Sequence, residues 1–236
     1  MQRHTDVATA NVLCTLTGRA AQEALSAIVD REPDLVGLQE WGLSRRRLLR
    51  RAKGYFWTGP LLGGCPVGAR ADRFQLVRSS ARVLGWFGRA DPGARSLPLV
   101  PPRIATVAVF RDRRSSRPVS VVNFHLTPGV QAVGRYREDR PLLVARHRKE
   151  VRRLSRVVIR QLARGHTVYA VGDSNFDGLR LPGLTSAWEG RRSEPGTLGP
   201  HRKVDDVHGP GRPAAVTLLS SASDHKAVIV KRGDLG

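Results

Sequence analysis

The sequence predicts an α+β protein in which two packed, mixed β-sheets are covered by helices. Short apolar runs of strand character recur from end to end, and helical patterns separate some of them. Several strand runs also follow one another mid-chain with no helix between, which a simple alternating βαβ fold does not provide. The chain has 236 residues, 40% of them apolar, enough for one large domain with a sizeable core. We therefore expect residues 1–236 to form a single domain.

Residues 8–16 read as the first strand and 18–31 as a helix closed before Glu32-Pro33, with 34–38 a short buried strand ending at Gln39-Glu40. A brief basic helix is expected at 44–52, with Ser44 at its N-cap. The runs 74–87, 104–110 and 119–126 are rich in β-formers and bounded by turn residues. From Arg135 to Arg164 there are eleven basic residues against three acids. Leu143, His147, Val151, Leu154, Val158 and Leu162 recur there at helical spacing, so Arg148, Arg152, Arg153, Arg156 and Arg160 fall largely on the opposite, solvated surface. His147 lies on the apolar stripe and reads as a packed residue. Three further strands follow at 167–171, 214–220 and 227–231. The Gly/Pro-rich stretches 59–68, 88–102 and 190–213 read as surface loops of the same domain, because the chemically suggestive residues fall on either side of each.

Composition narrows the function classes. No stretch reaches the roughly 18 apolar residues of a membrane helix, and the start has no apolar segment behind its charges, so we expect a cytoplasmic chain without a membrane partner. Cys14 and Cys65 are the only cysteines, too few for a disulfide framework or a thiolate zinc site. The formal charge is +20, from 40 basic residues of which all but five are Arg. Such a surplus attracts polyanions, nucleic acid above all, although it also suits a merely solvated surface. Walker-type loops, zinc-finger spacings and heptads are absent from the sequence.

Polar residues gather where apolar strands end. Asn11 stands in Ala-Thr-Ala-Asn-Val-Leu, Glu40 follows Asp-Leu-Val-Gly-Leu-Gln, and Asn123 and His125 lie in Val-Val-Asn-Phe-His-Leu. Asp173 and Asn175 occur in Gly-Asp-Ser-Asn, and Asp224-His225 precede Lys226-Ala-Val-Ile-Val. Each has a bland alternative, such as a turn residue, an Asx-turn or a satisfied core histidine. If the strands converge, oxygen donors without cysteine suit a hard divalent ion such as Mg²⁺. An imidazole beside a carboxylate supplies a general base near neutral pH. Together they predict hydrolysis of a phosphoester.

Asp-Leu-Val-Gly-Leu-Gln-Glu40, Asn123-Phe-His125-Leu, Gly172-Asp173-Ser174-Asn175, Val204-Asp205 and Ser223-Asp224-His225, in this order, resemble the motifs of the endonuclease/exonuclease/phosphatase superfamily. The resemblance runs from Asn11 to about Val230. It implies a DNase I-like, four-layered αββα sandwich. By the same resemblance Glu40 is the principal Mg²⁺ ligand (Mn²⁺ a substitute), with Asn11 beside it and Asp224 close by. His225 is similar to the water-activating imidazole and Asp205 to the acid that orients it, although Asp206 stands where the family commonly has an aromatic or His and is an alternative. Asp173 and Asn175 resemble the pair that orients the nucleophile or leaving oxygen, and His125 the contact to a non-bridging phosphate oxygen. Asp72 is the nearest candidate, and a poor one, for the auxiliary acid steadying that His, and Arg103 is a candidate phosphate contact. The charge then favours a nuclease acting on DNA. A small-molecule or lipid-headgroup phosphatase and a non-catalytic nucleic-acid-binding relative remain as alternatives.

Overall fold

The computed structural model describes residues 4–94, 98–191 and 193–233. Strand β1 (His4–Asn11) leads through helix α1 (Gly18–Val29) to β2 (Leu35–Gln39), which lies parallel to β1. Thr17 caps α1, its Oγ1 accepting from the Ala20 amide at 3.2 Å. A 3-10 turn (Leu43–Arg45) runs into the short α2 (Arg46–Leu49), and β3 (Tyr55–Thr58) and β4 (Val67–Arg70) complete this side of the sheet. After β5 (Phe74–Gly85) come the paired short strands β6 (Gly88–Arg89) and β7 (Leu99–Val100), then β8 (Arg103–Asp112) and β9 (Pro118–His125). A small hairpin, β10 (Gln131–Ala132) with β11 (Arg135–Tyr136), precedes α3 (Pro141–Leu162), which returns the chain to β12 (Thr167–Asp173), parallel to β9. Strands β13 (Asp205–His208), β14 (Pro213–Leu219) and β15 (Ala227–Gly233) follow.

Two mixed sheets result, in the orders β14-β15-β1-β2-β4-β3 and β13-β12-β9-β8-β5. Side-chain alternation along the strands explains the layering. Val7 and Val121 face the core between the sheets, packed with Leu35, Val171 and Val230. Their neighbours point the other way: Ala8 meets Leu25 and Ile28 of α1, and Val122 meets Leu154 and Val158 of α3. The result is the αββα sandwich that the sequence predicts.

The first strand begins and ends earlier than residues 8–16, because the chain turns at Val12 to Leu16, where Arg45 donates to the carbonyls of Val12, Leu13, Cys14 and Leu16 at 2.5 to 3.0 Å. Ser44 caps nothing; it lies inside the 3-10 turn, which Gly42 precedes. Strands β3 and β4 flank or fall within a stretch taken as loop, and β13 lies inside another, with all four of its residues buried.

At the end of the sandwich where β1, β2 and β5 start and β8 finishes, Arg73 is 2% exposed and joins both sheets. It donates to Asp34 at 2.7 Å, to Asp112 at 2.9 Å and to the Thr5 hydroxyl at 2.8 Å.

Candidate active site

Strand register brings the other rim together. Parallel pairing sets Asn11 beside Gln39, one residue before Glu40, and sets His125 beside Asp173, which in turn pairs with Asp205 on β13. His225 enters from the turn before β15, held there because Ser223 Oγ donates to the Asn11 carbonyl at 2.7 Å and accepts from the Leu13 amide at 3.1 Å. Residues far apart in sequence thus meet at one mouth.

Asn11 spans the gap between the sheets. Its Nδ2 donates to Asp173 Oδ2 at 2.9 Å and to Glu40 Oε1 at 3.3 Å. The other Glu40 oxygen accepts from the Cys14 amide at 2.8 Å. Asp173 also accepts from the Asn175 amide at 2.7 Å and the Asn175 side chain at 3.1 Å, and lies 3.5 Å from His125 Nε2. Asp205 Oδ2 is 2.7 Å from His225 Nδ1, and ligand atoms of Asp173, Asp205 and His225 lie within 4.8 Å of one another. Two acceptors in this cluster, Asn11 Oδ1 and Asp205 Oδ1, are buried without a hydrogen-bond partner. Buried oxygens left this way are costly unless something positive meets them. Asp205 is engaged with His225, whereas Asn11 lies directly against Glu40, so the Glu40 carboxylate and the unmet Asn11 Oδ1 are the oxygen donors that suit a hard divalent cation.

The charges respond to this crowding. Burial and the adjacent Asp205 carboxylate push Asp173 up to about 7. Burial alone would lower His225, but its hydrogen bond to Asp205 and the charges of Asp205, Asp173 and Asp224 raise it to about 9. His125 is held well below the ordinary imidazole value by burial, by Arg103 and by His225. One imidazole is therefore neutral and the other favours its cation, although both belong to one cluster.

Asp224 is exposed beside His225. Arg103 starts β8 and is close enough to act on His125 by charge. Asp206 does not orient His225; it accepts from Ser186 Oγ at 2.5 Å and the Ala187 amide at 2.9 Å, and lies 3.3 Å from His208. Asp72 pairs with Arg70 in solvent and is no support for His125. Glu150 steadies that segment instead. It is fully buried, accepting from the Thr127 amide at 2.9 Å and hydroxyl at 2.8 Å, two residues beyond His125. Its position three residues after His147, on the buried stripe of α3, was the available signal. His147 is packed as expected, and its Nε2 lies 2.8 Å from the Ser174 carbonyl, fixing the Gly-Asp-Ser-Asn turn. Asn123, on the same face of β9 as His125 but two residues deeper, donates to the Leu38 and Pro66 carbonyls as a staple between the sheets.

No family model matches the sequence, and no curated protein does either. Solved structures do match. An endonuclease/exonuclease/phosphatase from Bacteroides vulgatus superposes with a TM-score of 0.70 at 16% identity, over 99% of this chain and 100% of that one. D. rerio TDP2 complexed with single-strand DNA product gives 0.66 at 17%, over 97% and 98%. The mannosyl-6-phosphatase Bt3783 of Bacteroides thetaiotaomicron VPI-5482 gives 0.67 at 18%, over 96% and 98%. The chain has the fold of the endonuclease/exonuclease/phosphatase superfamily.

Proposed function

We propose that this single-domain chain is a Mg²⁺-dependent phosphodiesterase, with Mn²⁺ a working substitute, and that its substrate is DNA. The observation that carries the reading is Asn11. Its amide ties Glu40 of one sheet to Asp173 of the other and leaves Oδ1 buried and unmet in the cluster that also holds the Asp205–His225 pair. Glu40 and Asn11, with Asp224 nearby, would hold the ion. Bound there, it supplies charge neutralisation for the phosphoryl oxygens and offsets the carboxylate field that otherwise retains the His225 proton.

The chain's own groups divide the remaining tasks. Asp205 occupies Nδ1 of His225, so proton exchange with water falls to Nε2, and the same bond fixes the ring. Asp173 and Asn175, locked to each other, orient the nucleophile or the leaving oxygen. Neutral His125 donates to a non-bridging oxygen, and Arg103 adds positive charge beside it. A site retired to mere binding would not be expected to keep this set entire.

The formal charge of +20 supports a polyanionic substrate, as does the likeness to a TDP2 solved with DNA product. The likeness to a mannosyl-6-phosphatase favours a second reading, hydrolysis of a small phosphoester. Salt separates the two, because affinity for a nucleic acid falls steeply as salt rises, through counterion release. The deciding experiment is a Mg²⁺-dependent screen of wild type and His225→Ala on duplex, abasic and single-stranded DNA, RNA and inositol phosphates. We expect DNA hydrolysis by wild type and orders of magnitude less by the variant. Equal activity in the two would overturn the assignment of His225, and hydrolysis confined to small phosphoesters would overturn the substrate.

A further inference from the structure

Four consecutive residues, Gly85-Trp86-Phe87-Gly88, leave the second sheet on the same rim as the catalytic cluster. Strand β5 ends with Gly85 paired to Arg103, the first residue of β8, and Thr106 of β8 pairs with Asn123 of β9. Continuing that second register by two residues sets Ile104 abreast of His125. Two strand spacings, about 10 Å, therefore separate the end of β5 from the phosphate-contact end of β9.

Trp86 and Phe87 are each 64% exposed. Neither ring has an aromatic or cation–π partner among the described residues. Single exposed apolar side chains are ordinary, but two adjacent large rings exposed together make the kind of contiguous patch that marks a binding surface. The turn that presents them is firmly built. Arg146 of α3 donates to the Trp86 carbonyl and, at 2.7 Å, to the Pro101 carbonyl. Its Nε is held by the buried Glu150 at 2.8 Å and by Thr127 Oγ1 at 3.0 Å. The flanking glycines let this clamp close. A Cβ on Gly85 would sit 2.5 Å from Glu150 Oε1, and one on Gly88 2.7 Å from Arg146 Nη1. The rings thus stand on a support that also anchors the segment just after His125.

We propose that Trp86 and Phe87 form a stacking platform for an unpaired base next to the phosphate held at the catalytic cluster, so that the substrate is single-stranded at that point. Aromatic faces accept any base, but only one whose own face is free, which duplex interiors do not offer. Charge complementarity agrees: Arg89 is exposed directly beyond the rings, and Arg103 lies on the paired strand between them and His125. The inference rests on the nuclease reading for its choice of ligand, and the test keeps the two apart.

Binding of labelled single-stranded DNA in EDTA, followed by fluorescence anisotropy, is compared with blunt duplex of equal length. The Trp86→Ala/Phe87→Ala variant should lose roughly ten-fold or more in single-strand affinity, while keeping wild-type hydrolysis of bis(4-nitrophenyl) phosphate and its melting temperature. Trp86→Phe, which retains a ring, should keep most of the affinity. Unchanged single-strand affinity in the double variant, or an equal loss on single strand and duplex, overturns the platform. If no DNA is hydrolysed yet the selective binding loss is found, the nuclease reading falls and the platform stands.

Discussion

The two ends of the sandwich each bury a charged cluster that joins one sheet to the other, and they differ in how completely the bridging side chains themselves are satisfied, although Asp6 Oδ1 and His4 Nδ1 beside the Arg73 cluster are also buried without a partner. At one end Arg73 donates to Asp34, Asp112 and Thr5, so one cation faces two carboxylates and its donors are engaged. At the other, carboxylates surround His225, and Asn11 Oδ1 and Asp205 Oδ1 have nothing to accept from. A closed network of this kind holds sheets together, whereas an open one keeps capacity for a ligand. Buried charge alone would not have told them apart.

Mutation should separate the ends in opposite senses. The largest effect is expected from His225→Ala, which should cut turnover by about 10²- to 10⁴-fold with little change in melting temperature; steady-state kinetics beside a thermal melt would show both. Arg73→Leu should do the reverse. It strands two buried carboxylates and should cost about 3 to 5 kcal/mol of stability, read by urea unfolding, while turnover per folded molecule stays at the wild-type level. Next in size, Mg²⁺ should raise the melting temperature of wild type by a few degrees, in line with about 2.7 kcal/mol at a hundred-fold excess over Kd. Glu40→Gln should lose that rise and Arg73→Leu should keep it. If both variants kept it, Glu40 would not be a ligand. The smallest effect should come from the outer face of α3, where Arg152→Gln/Arg156→Gln should change stability by no more than about 0.5 kcal/mol. A larger loss there would mean that these arginines are built into the fold as Arg73 is.

Legibility in the sequence followed the same division. Strands with an uninterrupted apolar run, such as Leu35–Gln39 and Thr167–Asp173, declare themselves, and so do the polar residues that end them. Strand β13 does not, because Asp205, Asp206 and His208 read as loop; they are buried only because His225, Ser186 and the Leu179 carbonyl meet them from distant segments. β4 was hidden by Gly68, whose bare Cα lets the Trp57 ring lie over it. Arginines misled most. In a chain this basic nothing local marks Arg45, Arg73 or Arg232 as interior, and each is placed by carbonyls or carboxylates far away in sequence. Likewise Glu150 takes its role from Thr127, a partner on another element that its own helix does not reveal.

Glu40 has a backbone φ of 56°, a left-handed conformation that glycine adopts freely and a glutamate adopts only with strain. Relieving that strain would stabilise the fold by removing the very carboxylate placed to hold the ion. Laboratory evolution toward heat tolerance alone, with no demand for activity, should therefore drift toward glycine at position 40 and yield hardier but inert descendants.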